Sequence, residues 1–449
     1  MKAKVHSTRI VSDGGRRAGS YTRRQVLKAG AAVGAVVAVP TGLCGRAASA
    51  AARPVKIGAI GSLTGVVSVW GRVLKQGAQV AIDEINAEGG ILGRPVELVL
   101  EDDESKPDIG ARKARKLALE DDVDVIIGIN HSGVLLSVAE LLPDLGKILI
   151  GSCATTAEAT TQRFTKYVFR VHTNSDQEGA SGAFFAKDLP YRRWSVIAPN
   201  YAYGYETWGS FISNLKKVRP DIEILETQAW PKFATPDYTS HITRIRAARP
   251  DAVLSAMWGG DAVNLVRQLQ RFGFFDEVAF FTPAALALDV FYALRGELPE
   301  GLHTNAHAYW FEAPEEARKA INGSFVRRFE DRFGEYPHST AHGTYAAVHT
   351  YKNAVEKAQS TKPDDVIPAL EGITVELPGF KAYIRPEDHQ VVQDIGWGRT
   401  VAADDLPFRR RVTDIQWTKG DDVTPSVDQV LRLRRSGEKA EYYKYIIGA

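Results

Sequence analysis

One stretch constrains the fold of this chain more than any other: residues 61–93, GSLTGVVSVWGRVLKQGAQVAIDEINAEGGILG. The apolar run at 55–60 precedes it and reads as a buried strand. The small turn Gly61-Ser62-Leu63-Thr64-Gly65 follows, and then Val73, Gly77, Val80, Ala81 and Ile85 recur at helical spacing. Gly89-Gly90 ends that helix, because glycine takes the left-handed conformation that a helix terminus favours. Gly93-Arg94-Pro95 turns into a second apolar run at 96–100, closed by Glu101-Asp102-Asp103. Strand, helix, strand opens a parallel α/β layer. In such sheets a ligand sits beyond the carboxyl ends of the strands, where the turn 61–65 lies.

The alternation continues. Strands are expected at 55–60, 96–100, 123–128, 148–151 and 168–171, with helices near 70–87, 109–120, 133–142 and 157–162. Two further strand-to-helix corners are small and polar, Gly128-Ile129-Asn130-His131-Ser132-Gly133 and Gly151-Ser152-Cys153-Ala154-Thr155-Thr156. Backbone N–H groups point outward at such corners. Taken singly, each is explained by helix capping through Ser132 or Thr155; three polar corners on one sheet edge favour a ligand site. From Ser175 a second series begins, with strands expected at 195–198, 222–229, 252–256 and 278–281 and helices near 203–217, 238–248 and 261–272. At roughly 100–200 residues per domain, two domains are the natural count.

Farther on, His303, Asn305 and His307 alternate at strand period. No carboxylate or cysteine completes a metal site with them, so the solvated or interlobe face of a crossover strand is expected, and no metal or cofactor. Helices follow near 314–333, 341–357 and 364–370, and Phe325, Phe329 and Phe333 at four-residue spacing predict core packing. Strands are expected at 377–384 and 394–397. Beyond them the charged tail includes Arg409-Arg410-Arg411, expected as a solvated loop.

Charge is unevenly spread. Residues 1–52 hold nine Lys/Arg and one acid, so the remainder carries 47 basic and 53 acidic side chains. The basic character belongs to the leader, and no nucleic-acid surface is implied. In that leader Thr22-Arg23-Arg24-Gln25-Val26-Leu27-Lys28 resembles the twin-arginine export motif. The small-residue apolar segment 29–39 and the site Ala48-Ser49-Ala50 follow it. Residues 1–50 therefore read as a cleaved signal peptide and the mature chain as periplasmic. Cys44 leaves a lipoprotein signal as the alternative, against which Leu43 stands. After cleavage Cys153 is the one remaining cysteine, so no internal disulfide is available.

The ordered positions of 61–93 resemble the opening of the branched-chain amino-acid type of periplasmic binding proteins, the receptors of ABC importers. Ser62 stands where the family usually has proline. Arg385-Pro386-Glu387-Asp388-His389-Gln390 resembles a turn of the same family, so the likeness spans about 55–397. It implies an α/β fold of two lobes of the type I binding-protein class, each a parallel sheet flanked by helices, closing like a trap on a small molecule. It implies three interlobe crossings, placed near Thr173, Asn305 and Pro378. Lobe I is then 54–173 with 306–378, and lobe II is 174–305 with 379–449. By the same resemblance Ser132, Cys153, Ala154 and Thr155 hold a carboxylate, and Trp70 lies beside the ligand. Tyr203 and Trp258 face it from the other lobe, with His131 and Asp261 as further candidates. Amino-acid binders of the family carry a glutamate after a Gly-Pro or Thr-Pro pair, which takes the ligand ammonium; here Thr282-Pro283 is followed by Ala284. A buried ammonium without a counter-ion is costly. The expected ligand is a small carboxylate with an apolar or aromatic body. The expected partners are permease subunits and cytoplasmic ATPases, with the receptor itself a monomer. An enzyme is the first rival, but the chain lacks a GxSxG elbow, an HExxH pair and a glycine-rich phosphate loop. A sensor subunit on the same fold is the second.

Overall fold

The computed structural model describes residues 53–283, 287–305, 323–377 and 380–449. The leader, Ala284, His307 and Pro378 lie outside the described residues.

Five parallel strands form the first sheet: β1 (Val55–Gly61), β2 (Val96–Asp102), β3 (Val125–Gly128), β4 (Leu149–Gly151) and β5 (Val168–Arg170), in the order β2-β1-β3-β4-β5. A parallel sheet is covered on both faces, and β3, β4 and β5 are accordingly buried at every residue. The linking helices are α1 (Ser68–Ala87), α2 (Pro107–Leu119), α3 (Ser132–Ala139) and the short α4 (Leu142–Leu145). Gly89 and Gly90 both have positive φ where α1 ends.

The second sheet has seven strands. β6 (Arg193–Val196), β7 (Glu223–Ile224), β8 (Ala252–Leu254), β9 (Ala279–Thr282) and β10 (His303–Asn305) are parallel. Between them come α6 (Ala202–Val218), α7 (Thr239–Ala247), α8 (Gly259–Arg271) and α9 (Leu288–Leu294), after α5 (Ser175–Ala186) has opened the unit. The chain then returns to the first sheet through α10 (Gly323–Phe333), α11 (Ser339–Ala358) and α12 (Pro363–Leu370). Phe325 and Phe329 are buried in the core under the first sheet, as their spacing predicts. α11 packs against α1 so closely that a Cβ on Gly77 would lie 2.0 Å from the Ala341 carbonyl oxygen; only glycine fits there.

Several expectations need correction. The strand read at 377–384 is a hairpin, β11 (Thr374–Leu377) with β12 (Phe380–Ile384), and β13 (Val391–Val392) joins it. Val375, Ala382, Ile384 and Val391 all pack in the core of the first sheet. The third passage between sheets therefore falls between Val392 and Ile395, not at Pro378, because the hairpin must bury its apolar face before the chain can leave. The tail is ordered: β14 (Ile395–Ala402) extends the second sheet antiparallel to β10, β15 (Arg410–Thr418) pairs antiparallel with β14, and α13 (Gly420–Val423) and α14 (Val427–Ser436) follow. Arg410 and Arg411 are half-buried edge-strand residues rather than a solvated loop. Arg410 Nε donates to the Leu298 carbonyl at 2.6 Å and Arg411 pairs with Asp405 at 2.7 Å. Charged residues suit an edge strand, where they oppose pairing with another chain. His303 and Asn305 are buried, not solvated; the His303 ring stacks on Phe281 with centroids 4.3 Å apart. Of the run 222–229, only Glu223–Ile224 and an isolated bridge from Ala229 to Ile197 pair with the sheet.

Candidate ligand-binding cleft

The strand-to-helix corners of both sheets meet at a narrow cleft. It is lined by Trp70, Asn130, Ser132, Cys153, Thr155 and His172 from the first five-strand unit, Tyr201, Tyr203 and Trp258 from the second, and Ser339 from α11. The cavity between them is small, about 30 Å³.

The first corner serves a different purpose from the one its polarity suggests. Ser62 Oγ donates to Asp103 at 2.7 Å and Thr64 Oγ1 to Asp102 at 2.8 Å, so both hydroxyls tie the turn to the end of β2. From this corner Trp70, on α1, is what reaches the cleft. The second corner is held in strain. Ile129 has φ 67°, a conformation costing a β-branched residue about 1–3 kcal/mol. Its N–H bonds the Ile60 carbonyl at 2.8 Å and its carbonyl accepts from Ala154 at 2.9 Å, which fixes the corner against its neighbours. Capping of α3 falls to His131, whose Nδ1 accepts from Gly133 N at 3.1 Å. Ser132 is thereby released: its hydroxyl has no protein partner among the described residues and faces the cleft. The Asn130 amide nitrogen is likewise left without an oxygen acceptor, with the Cys153 thiol nearby. At the third corner the Thr155 carbonyl receives Ser175 N at 2.7 Å and Arg170 Nη1 at 3.1 Å, while its hydroxyl lies 3.3 Å from Ser175 Oγ.

The opposite wall is aromatic. Trp258 Nε1 donates to the Tyr201 hydroxyl at 2.7 Å, and the Trp258 ring stacks on Phe233. The two walls touch: Trp70 meets Trp258 edge-on with centroids 4.8 Å apart, and His131 stacks on Tyr201 at 4.5 Å. Gly260 N also bonds the Val66 carbonyl at 3.2 Å. The cleft is closed.

Among the described residues the lining holds no Asp, Glu, Lys or Arg. Burial pushes the His131 imidazole down to about 4, so it is neutral at neutral pH. Burial also raises the Cys153 thiol to about 11, leaving it protonated and unreactive. Burial lifts the Tyr203 phenol well above its usual value; its hydroxyl has no protein partner among the described residues.

Six expected residues therefore line the cleft: Trp70, Ser132, Cys153, Thr155, Tyr203 and Trp258. Ala154 is buried in the core beneath it, and His131 stands at the rim as a cap and a stacking partner. Asp261 is turned away. Its Oδ2 accepts Ala234 N at 2.8 Å, its carboxyl also meets Tyr238, and burial raises it to about 6. It caps no helix of its own. Ala284 lies outside the described residues. Sequence reasoning missed Asn130, His172, Tyr201 and Ser339 as lining. The first three stood beside positions already singled out, but Ser339 reaches the cleft from a helix 207 positions after Ser132, a join with no local signal.

Two α/β lobes with a closed, ring-lined cleft between them define a solute-binding protein rather than an enzyme. Residues 54–404 match the profile of the periplasmic binding proteins, and the chain belongs to that family. It is 29% identical to the Leu/Ile/Val-binding protein BraC3 of Rhizobium johnstonii over 48% of this chain and 58% of that protein. It is 25% identical to the leucine-, isoleucine-, valine-, threonine- and alanine-binding protein of Pseudomonas aeruginosa over 74% of this chain and 85% of that one. Among solved structures it resembles an ABC-transporter solute-binding protein of Rhodopseudomonas palustris in complex with 3,4-dihydroxybenzoic acid. The TM-score is 0.72 and the identity 23%, with 81% of this chain and 97% of that one covered.

Residues 20–40 match the twin-arginine translocation signal, so the protein is exported to the periplasm. Lysine at both Arg23 and Arg24 is expected to leave the protein in the cytoplasm. Fractionation checks this, and wild-type periplasmic yield from the double variant would refute it.

Proposed function

We propose that this protein is the extracytoplasmic receptor of an ABC importer and that its cargo is a small carboxylate with an apolar or aromatic body. The observation that carries the reading is a cleft walled by Trp70, Tyr201, Tyr203 and Trp258 with no ionic side chain in its described lining. An α-amino acid brings an ammonium group, and burying it without a carboxylate costs several kcal/mol or forces deprotonation. A carboxylate alone needs donors, and neutral ones serve when they are fixed in place. Ser132 Oγ, the Asn130 amide and the Tyr203 hydroxyl are unengaged donors here. Thr155 and the backbone of Cys153 and Ala154 complete the acid end, and Trp70, Tyr203 and Trp258 hold the body. The narrow space excludes a peptide. The Rhodopseudomonas structure, with its dihydroxybenzoic acid, supports an aromatic acid as the cargo class. The names of the Rhizobium and Pseudomonas relatives favour the second reading, an aliphatic amino acid.

The lobes of this reading are 54–173 with the return segment up to Val392, and 174–305 with 395–449. Cargo is handed to permease subunits driven by cytoplasmic ATPases, and the receptor acts as a monomer. A thermal-shift series of benzoate, hydroxybenzoates, branched aliphatic acids and the standard amino acids tests the cargo class. Saturable stabilisation by the aromatic acids, with none by leucine or valine, is expected. The reverse order would overturn it.

A further inference from the structure

Asp289, in the first turn of α9, has a side chain only 7% exposed and holds two partners from the other side of the cleft. Its Oδ2 accepts the indole N–H of Trp70 at 2.8 Å. Its Oδ1 lies 3.2 Å from Nε2 of His338, the residue that caps α11. His338 Nδ1 accepts from Thr340 N at 3.0 Å, so the ring proton sits on Nε2 and is donated to Asp289. The His338 ring also packs edge-on against Trp70, with centroids 4.8 Å apart. One carboxylate carried by a helix of the second sheet thus gathers N–H groups from two helices packed on the first.

We infer that Asp289 is a positioning residue that latches the closed cleft and fixes the face Trp70 presents to the cargo, an inference that rests on the proposed cargo-binding role of the cleft. An indole has a single N–H donor. With that donor committed to Asp289, Trp70 offers only carbon to the cleft. A cargo oxygen meets no partner there, and a ring does. The bonds to Asp289 are charge-assisted, and the side chains of His338 and Asp289 are only 3% and 7% exposed. They span the cleft, so opening breaks both at once. A first-turn aspartate could instead serve only its own helix by complementing the macrodipole. That role would affect α9 but would not couple to Trp70.

The test uses the mature protein as wild type, Asp289→Asn, Trp70→Phe and the double variant. Asparagine matches the shape of the aspartate but turns an N–H₂ toward at least one of the two donors. Phenylalanine in place of Trp70 keeps an aromatic ring in the wall and has no N–H to donate. Without ligand, small-angle scattering is expected to show a larger radius of gyration for Asp289→Asn than for wild type. With 3,4-dihydroxybenzoate as probe, stopped-flow dissociation is expected to accelerate roughly tenfold or more in each single variant. The double variant should be little faster than either single one, because both remove the same bond. Unchanged scattering and rate in Asp289→Asn, or fully additive effects in the double variant, would overturn the latch. If the wild type does not bind the probe, the aromatic-acid reading fails. The ligand-free scattering then decides the latch alone, and an unchanged radius overturns it. If Asp289→Asn does not fold, Trp70→Phe carries the same scattering comparison.

Discussion

Replacing Trp258 by alanine is expected to weaken binding of an aromatic carboxylate by roughly a hundredfold or more. Trp258 is the residue on which the second wall depends. It is 4% exposed, meets Trp70 across the cleft, stacks on Phe233, and gives its indole N–H to the Tyr201 hydroxyl. Truncation removes the largest ring of the wall and lets Tyr201 turn. Truncating a buried tryptophan costs about 3–5 kcal/mol, shared here between the fold and the bound complex. Trp258→Phe separates the two contributions. It keeps a ring against Phe233 and loses the bond to Tyr201, so its loss of affinity should be nearer tenfold. Calorimetric titration with 3,4-dihydroxybenzoate reads the affinity, and urea melts of the unliganded proteins read the stability. An alanine variant that is destabilised yet binds with wild-type affinity would make these rings lobe core and not ligand wall.

Glu206→Gln is expected to flatten the pH dependence of stability between about pH 5 and 8. Glu206, on α6, is fully buried and reaches across to the third corner. Oε1 is 2.7 Å from Thr156 Oγ1, and Oε2 accepts Ala157 N at 2.8 Å. Burial first, then the neighbouring carboxylates Asp176 and Glu158, pushes its carboxyl from 4.5 up to about 8. The folded protein therefore holds this proton over a range where the unfolded chain has released it. The stabilisation is fully present below about pH 4.5 and is lost as pH rises toward 8, at up to about 1.4 kcal/mol per pH unit. Glutamine reproduces the neutral carboxyl, donating to Thr156 and accepting from Ala157, and it does not titrate. At pH 5 the two proteins should be similarly stable, and at pH 8 the variant should be the more stable. Asp176, raised by burial to about 6, adds a shallower slope of the same sign that the variant retains. Chemical denaturation at pH 5, 6.5 and 8 provides the measurement. Parallel curves for both proteins would place the proton elsewhere. Arg170, also fully buried, donates to the Thr155 and Thr156 carbonyls and completes the same cluster.

The sequence by itself determined the export signal, the alternation of strands and helices, and the corners of the first sheet. It could do so because burial of one element leaves a periodic trace in that element alone. Residues 55–60 read as a strand because both faces of β1 are covered, and 70–87 read as a helix because one stripe of α1 is. It also placed Ser132, Thr155, Tyr203 and Trp258 at strand ends, where a parallel sheet gathers its ligand groups. Tertiary structure decided how those groups are used. Ser62 and Thr64 look like ligand groups and are spent on Asp103 and Asp102, while His131 takes the capping role and so frees Ser132. Asp261 looked available and is held by Ala234 and Tyr238. Asp289 meets Trp70 across 219 positions of sequence, and Ser339 enters the cleft from a helix that returns to the first sheet. The tail reads as charged loop because its strand lies on a sheet edge, where one side faces water and no run of apolar residues is required. Such pairings are set by how the chain crosses between lobes, and neither spacing nor composition encodes that crossing.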